Sequence, residues 1–209
     1  MLNKKKIAIL IGIILAIVLI IAIVFAVKGD GSSKVAKLYN TLENSQAYIF
    51  NMSNNENYQL SMARKEGKTC IDMTNADEKT TTLIKDGITY LLLHSSKEYI
   101  IYDGDVAAEE NIMTDMLASL VNTEHSTGKE EINGKKYKYE EYVGFDGFMI
   151  SAGRDIDQSQ IKTRFYFDGN NLAYIKTIVG DQEELLNTSI SYDVGDELFE
   201  IPSDYAQVE

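Results

Sequence analysis

From residue 34 onward, apolar residues recur along this chain with two periods, 3.6 and 2, and the switches between them lay out the elements. Val35, Leu38, Tyr39 and Leu42 fall at i, i+3, i+4 and i+7, the apolar face of an amphipathic helix over 34–44. Ser32 or Ser33 can cap it. Period 2 then takes over. Tyr48, Phe50 and Met52 alternate with Ile49, Asn51 and Ser53, and Tyr58, Leu60 and Met62 alternate with Gln59, Ser61 and Ala63. Strand-like runs continue through Ile71 and Met73, Thr80 to Ile84, Ile88 to His94, and Tyr99 to Tyr102. Glu66-Gly67, Asp86-Gly87 and Ser95-Ser96-Lys97 separate them, and short gaps of this kind predict an antiparallel meander.

The helical period returns over 110–122, where Ile112, Met113, Met116, Leu117, Leu120 and Val121 share one face. Strands resume at Glu130–Ile132 and Tyr137–Val143 around Asn133-Gly134, the strongest hairpin signal in the chain. Residues 144–160, rich in Gly and polar groups, read as a loop or irregular edge. Ile161–Phe167 and Leu172–Val179 flank Asp168-Gly169-Asn170-Asn171, Leu185–Tyr192 is the last long strand, and Leu198–Pro202 is expected to close the domain. About ten antiparallel strands cannot stay flat. The predicted class is therefore α+β: one strongly curved sheet, a half-barrel, with both helices packed on its concave side.

Ahead of this domain the pattern is different. Residues 7–27 are uniformly apolar and uncharged, and at 1.5 Å per residue they span ~31 Å, the thickness of a bilayer core. Lys4, Lys5 and Lys6 precede the segment and only Lys28 follows it, so the positive-inside rule leaves residues 1–6 in the cytoplasm. A cleaved secretory signal also begins with a charged stretch. Its apolar region is shorter and ends in a small-x-small site, which Phe25-Ala26-Val27-Lys28 does not offer. The expectation is an uncleaved single-pass anchor, a linker over 28–33, and a domain over 34–209 on the outer side of the cell membrane.

Several stretches of that domain resemble the LolA-like superfamily, the half-barrel fold of bacterial lipoprotein carriers and related exported proteins. They are the helix before Tyr48-Ile49-Phe50; Ile84–Tyr90 with Tyr99–Tyr102; Ile132–Glu140; Phe165–Ile175; and the tail Phe199–Tyr205. The resemblance implies a concave apolar face that can hold acyl chains. On that basis Tyr48, Phe50, Tyr90, Tyr99, Met113, Met116, Leu117, Leu120, Tyr139, Phe165 and Tyr174 are the candidate lining of a cavity for a lipid, lipoprotein or other amphiphile. Core packing and cross-strand pairing are the simpler account of any one of these residues. An anchored domain cannot shuttle as a carrier does, so a sensor or scaffold role with an envelope protein partner is the alternative.

Charge narrows the partners. The outer part carries all 32 acidic residues and every basic residue except Lys4, Lys5 and Lys6, so it is more acidic than the chain's net −12. Such a surface repels phosphate backbones, which argues against nucleic acid. The single cysteine, Cys70, allows no internal disulfide. With His94 and His125 it is also the only material for nucleophilic catalysis, and the three share no motif, so no catalytic residue is assigned. Asp103-Gly104-Asp105 lacks the later ligands of a calcium loop, having Ala108 and Thr114 at the sixth and twelfth positions. No Cys/His spacing suits zinc. Neither a metal nor a cofactor is expected, and the reading is of a protein that is not an enzyme.

Overall fold

The computed structural model describes residues 33–54, 58–76, 78–102, 112–145 and 157–208. Two helices lie among them, α1 (Lys34–Glu43) and α2 (Ile112–Leu120). The first meander comprises β1 (Ala47–Ser53), β2 (Tyr58–Lys65), β3 (Lys68–Asn75), β4 (Glu78–Lys85), β5 (Ile88–Leu93) and β6 (Glu98–Tyr102). The second comprises β7 (Ser126–Ile132), β8 (Lys135–Val143), β9 (Ile161–Asp168), β10 (Asn171–Val179) and β11 (Gln182–Ser191). A final short strand, β12, is Ala206–Gln207. All twelve join in one sheet, in the order β12-β6-β5-β4-β3-β2-β1-β11-β10-β9-β8-β7. The two meanders are thus zipped together where β1 pairs antiparallel with β11, in the register Phe50↔Ile190.

Local chemistry sets the turns. Asn133 and Gly134 both take positive φ, 51° and 79°, as a tight hairpin between β7 and β8 requires, and Asp86 and Gly87 do the same between β4 and β5.

Strand alternation sends side chains to two faces, and each is covered differently. On one face α1 and α2 pack over a cluster containing Val35, Leu38, Leu42, Phe50, Met62, Met113, Leu117, Phe165, Ile175 and Leu186. Each fully buried Leu, Ile or Phe here contributes about 1.5–3 kcal/mol. The start of α1 is fastened from across the sheet. Ser33 accepts the Ala36 N–H at 2.9 Å, while the buried Glu140 carboxylate on β8 accepts the N–H groups of Lys34 and Val35 at 2.5 and 3.1 Å. These are donors that any helix N-terminus leaves unpaired.

The opposite face of the first meander is crossed by the C-terminal segment 194–208. Val194 and Phe199 pack on Ala63, Cys70, Leu83 and Leu92. Lysines on the sheet hold its backbone: Lys65 donates to the Val194 carbonyl at 3.1 Å and Lys85 to that of Phe199 at 2.9 Å.

The expected architecture is corrected in four respects. The sheet has twelve strands rather than about ten, and it is an open sheet edged by β7 and β12 rather than a half-barrel. It is not wholly antiparallel, because β12 runs parallel to β6. Leu198–Pro202 is not a strand: a 3₁₀ turn over Asp196–Phe199 uses Phe199 as an apolar plug, and pairing with the sheet begins only at Ala206. As for the transmembrane helix, no helix among the described residues is long and apolar enough to cross a membrane. The anchor 7–27, the linker up to residue 32, Asp103–Glu110 and most of the 144–160 loop lie outside the described residues.

Candidate functional site

The residues expected to line an amphiphile cavity are divided between the two faces. Tyr48, Phe50, Met113, Leu117, Leu120 and Phe165 meet under the helices, and all are 2 % exposed or less. Met116 packs at the margin of that cluster, partly buried. A cavity wide enough for water would leave accessible surface on its lining, so these side chains fill the space between helices and sheet. The aromatic packing agrees: Tyr142 and Phe165 meet edge-on at 5.7 Å, and Phe145 lies 6.3 Å from Phe165.

Tyr90 and Tyr99 lie on the opposite face, 6.3 Å apart under the C-terminal segment. Tyr139 and Tyr174 share that face over the second meander. There Tyr137 and Tyr174 meet edge-on at 5.2 Å, and Tyr139 carries the Arg164 guanidinium at 4.6 Å from its ring centre. Beneath them Glu130 accepts from the Tyr166 hydroxyl at 2.6 Å and from Arg164 at 2.8 Å, and it also pairs with Lys176. Burial opposes charge on Glu130, but Lys176, Tyr166 and Arg164 outweigh it and hold the carboxyl below its ordinary range.

Polar groups that sequence patterning did not single out also sit on the helix-covered face. Arg64, opposite Tyr48 in the β1–β2 register, has a buried guanidinium nitrogen with no partner among the described residues. Nearby, burial and the Glu43 charge raise the Asp115 carboxyl above its ordinary range, against the pull of Arg64.

Two of the three groups weighed for catalysis, His94 and Cys70, lie against the C-terminal segment instead. Thr81 bonds to the Asp72 carboxylate, the His94 Nε2 lies 2.7 Å from the Thr81 hydroxyl, and the His94 Nδ1 lies 2.7 Å from the Tyr205 hydroxyl. A carboxylate only accepts, so the Thr81 proton goes to Asp72 and the neutral imidazole donates from Nε2 and accepts from Tyr205. Both ring nitrogens are thereby used within the fold. Burial, with Lys79 nearby, lowers the His94 pKa, which favours this neutral form. Cys70 is buried, and burial pushes its thiol up to about 12, the opposite of what a thiolate nucleophile needs. His125 stacks on Tyr142 at 5.3 Å. Among the described residues no three His, Cys, Asp or Glu side chains come together to hold a metal ion.

A concavity of about 310 Å³ opens on the same face as His94, at the far end of β1 to β4. Asn51, Ser53, Gln59, Ser61, Asp72 and Thr74 line it, with Lys79 at its side. Met52 and Leu60 contribute through their backbone, since their side chains alternate to the helix-covered face.

No protein-family model matches the chain, and no curated protein matches it. Among solved structures it is similar to an uncharacterized conserved protein from Thermus thermophilus, at 8 % identity, over 83 % of this chain and 98 % of that one. The TM-score is 0.47, and a likeness at this level carries no argument about function.

Proposed function

We propose that this chain is a membrane-anchored, extracytoplasmic and non-enzymatic interaction domain, a sensor or scaffold that meets an envelope protein partner at the outer surface of the membrane. One observation carries this reading: the face that would have to open for an amphiphile is a filled core, with Tyr48, Phe50, Leu117 and Phe165 no more than 1 % exposed. The acyl-binding reading suggested by the LolA-like resemblance requires α2 to leave Met113, Leu117 and Leu120 without their packing, at about 2–5 kcal/mol for each such side chain removed from a core. The linker after the anchor, about five residues long, reaches at most ~18 Å. The partner is therefore to be met close to the membrane surface. The acidity of the domain favours a partner with a basic face.

In-cell photo-crosslinking tests the reading. Photoreactive residues replacing the exposed Lys129 and Lys138 should each trap one discrete protein neighbour in intact cells. Recovery of the uncrosslinked chain alone from both positions would reject the proposal.

A further inference from the structure

The concavity on the β1–β4 face has a composition that specifies a ligand class. Its floor is two transverse rows set by strand register. One runs Ser189–Asn51–Ser61–Asp72–Thr81, and the other runs Asn187–Ser53–Gln59–Thr74–Lys79. Short hydroxyl side chains at Ser53, Ser61 and Thr74 leave the trough. Beyond the trough the second row continues through Asn187 to Tyr174, two strands from Ser53, and the half-buried Tyr174 ring is braced by Tyr137.

The chemistry of the floor is neutral. Its single ion pair, Lys79 with Asp72 at 3.3 Å, is closed on itself, and Asp72 is further engaged by Thr81. No unpaired charge is left among these groups to recognise a charged ligand. An apolar ligand would strand amides and hydroxyls that now face water, at a cost of about 1–3 kcal/mol for each group. Gln59, Ser61 and Thr74 have no side-chain hydrogen-bond partner among the described residues, so their groups are available. Hydroxyls and carboxamides both donate and accept, which matches a ligand whose own groups are hydroxyls. A pyranose ring also has an apolar C–H face, and an oligosaccharide extending along the second row for roughly 10 Å past Ser53 would set one against Tyr174. The volume lies at the lower end of the roughly 300–1,000 Å³ typical of small-molecule sites.

We propose that this trough binds an uncharged saccharide, with Asn51, Gln59, Ser61 and Thr74 as its hydrogen-bonding floor. The site is on the face away from the helices, so the proposal does not rest on the filled core or on a protein partner.

The test uses the full chain in phosphatidylcholine nanodiscs, free of sugar-based detergent, with saturation-transfer NMR. The probes are maltotriose and N,N′,N″-triacetylchitotriose as neutral arms and trigalacturonate as the acidic arm. At least one neutral trisaccharide should bind with a Kd in the range of about 0.1–10 mM, and trigalacturonate should not. Ser61→Val fills the trough and should weaken binding at least about tenfold, the loss expected for one hydrogen bond and its space. Gln59→Ala, at an exposed position, should weaken it several-fold without touching the core. Thermal melts of both variants establish that they fold, and Gln59→Ala decides if Ser61→Val does not. Silence from both neutral probes, equal binding of trigalacturonate, or wild-type affinity in the folded variants would each overturn the proposal.

Discussion

Removing the Glu140 carboxylate should unfasten α1 from the sheet. This group is buried at 6 % exposure and accepts two backbone N–H donors from Lys34 and Val35, with the Tyr142 hydroxyl 3.3 Å away. In Glu140→Ala both donors lose a charged acceptor in a place where Val35 is fully buried. Hydrogen bonds to charged groups are worth about 1.5–3 kcal/mol each, and the loss of a helix cap costs about 1–2 kcal/mol. Part of this is returned because a buried carboxylate no longer has to be desolvated. The net expectation is a loss of about 2–4 kcal/mol, which in a chain of this size lowers Tm by roughly 5–15 °C. Glu140→Gln keeps one acceptor oxygen and should fall between Ala and wild type. Circular-dichroism melts of the three full-length chains measure the ranking, and hydrogen exchange should quicken in α1 before the strands. A Glu140→Ala melt within ~1 °C of wild type would show that this helix end is satisfied without the carboxylate.

Three further expectations concern the opposite face and the core. Phe199→Ala should loosen the C-terminal segment over Cys70, costing about 3–5 kcal/mol and speeding thiol labelling by a maleimide; an unchanged labelling rate would mean the cysteine is shielded in some other way. Because the folded state lowers the His94 pKa, the stability it contributes is full above the unfolded value of 6.5 and is lost as pH falls below it. Wild type should therefore lose more Tm between pH 7.5 and 5 than His94→Gln does, as paired melts would reveal; equal losses would remove His94 as the cause. The buried Thr188 hydroxyl has no partner among the described residues, so Thr188→Val should be neutral or stabilise by up to about 1 kcal/mol in urea denaturation, and a clear loss would expose a missed hydrogen bond.

Much of the fold is legible from periodicity. The helical patterns over 34–44 and 110–122 correspond to Lys34–Glu43 and Ile112–Leu120, and Asn133-Gly134 marks a real hairpin. What periodicity does not supply is which face the helices cover. Both faces of this sheet are partly buried, so Leu91, Leu92 and Leu93 on β5 are all inside and alternation loses its meaning there. That is why the pattern groups Tyr90, Tyr99, Tyr139 and Tyr174 with Tyr48 and Phe165 although they point the other way. Leu198–Pro202 misleads for a related reason: Phe199 is apolar because it plugs the sheet face, not because it alternates in a strand. The trough is partly visible, since Asn51, Ser53, Gln59 and Ser61 fall at the polar positions of their strands. Its rows exist only through the register of several strands, which no local window contains.

The filled core under α1 and α2 is tested most directly by native mass spectrometry of the full chain released from nanodiscs after incubation with palmitate. The expected spectrum shows the bare chain, with no retained acyl adduct at collision energies that strip loosely held lipid. A one-to-one palmitate complex that persists, and that bulky Leu117→Trp abolishes, would place an acyl site beneath α2 and contradict the closed-core reading.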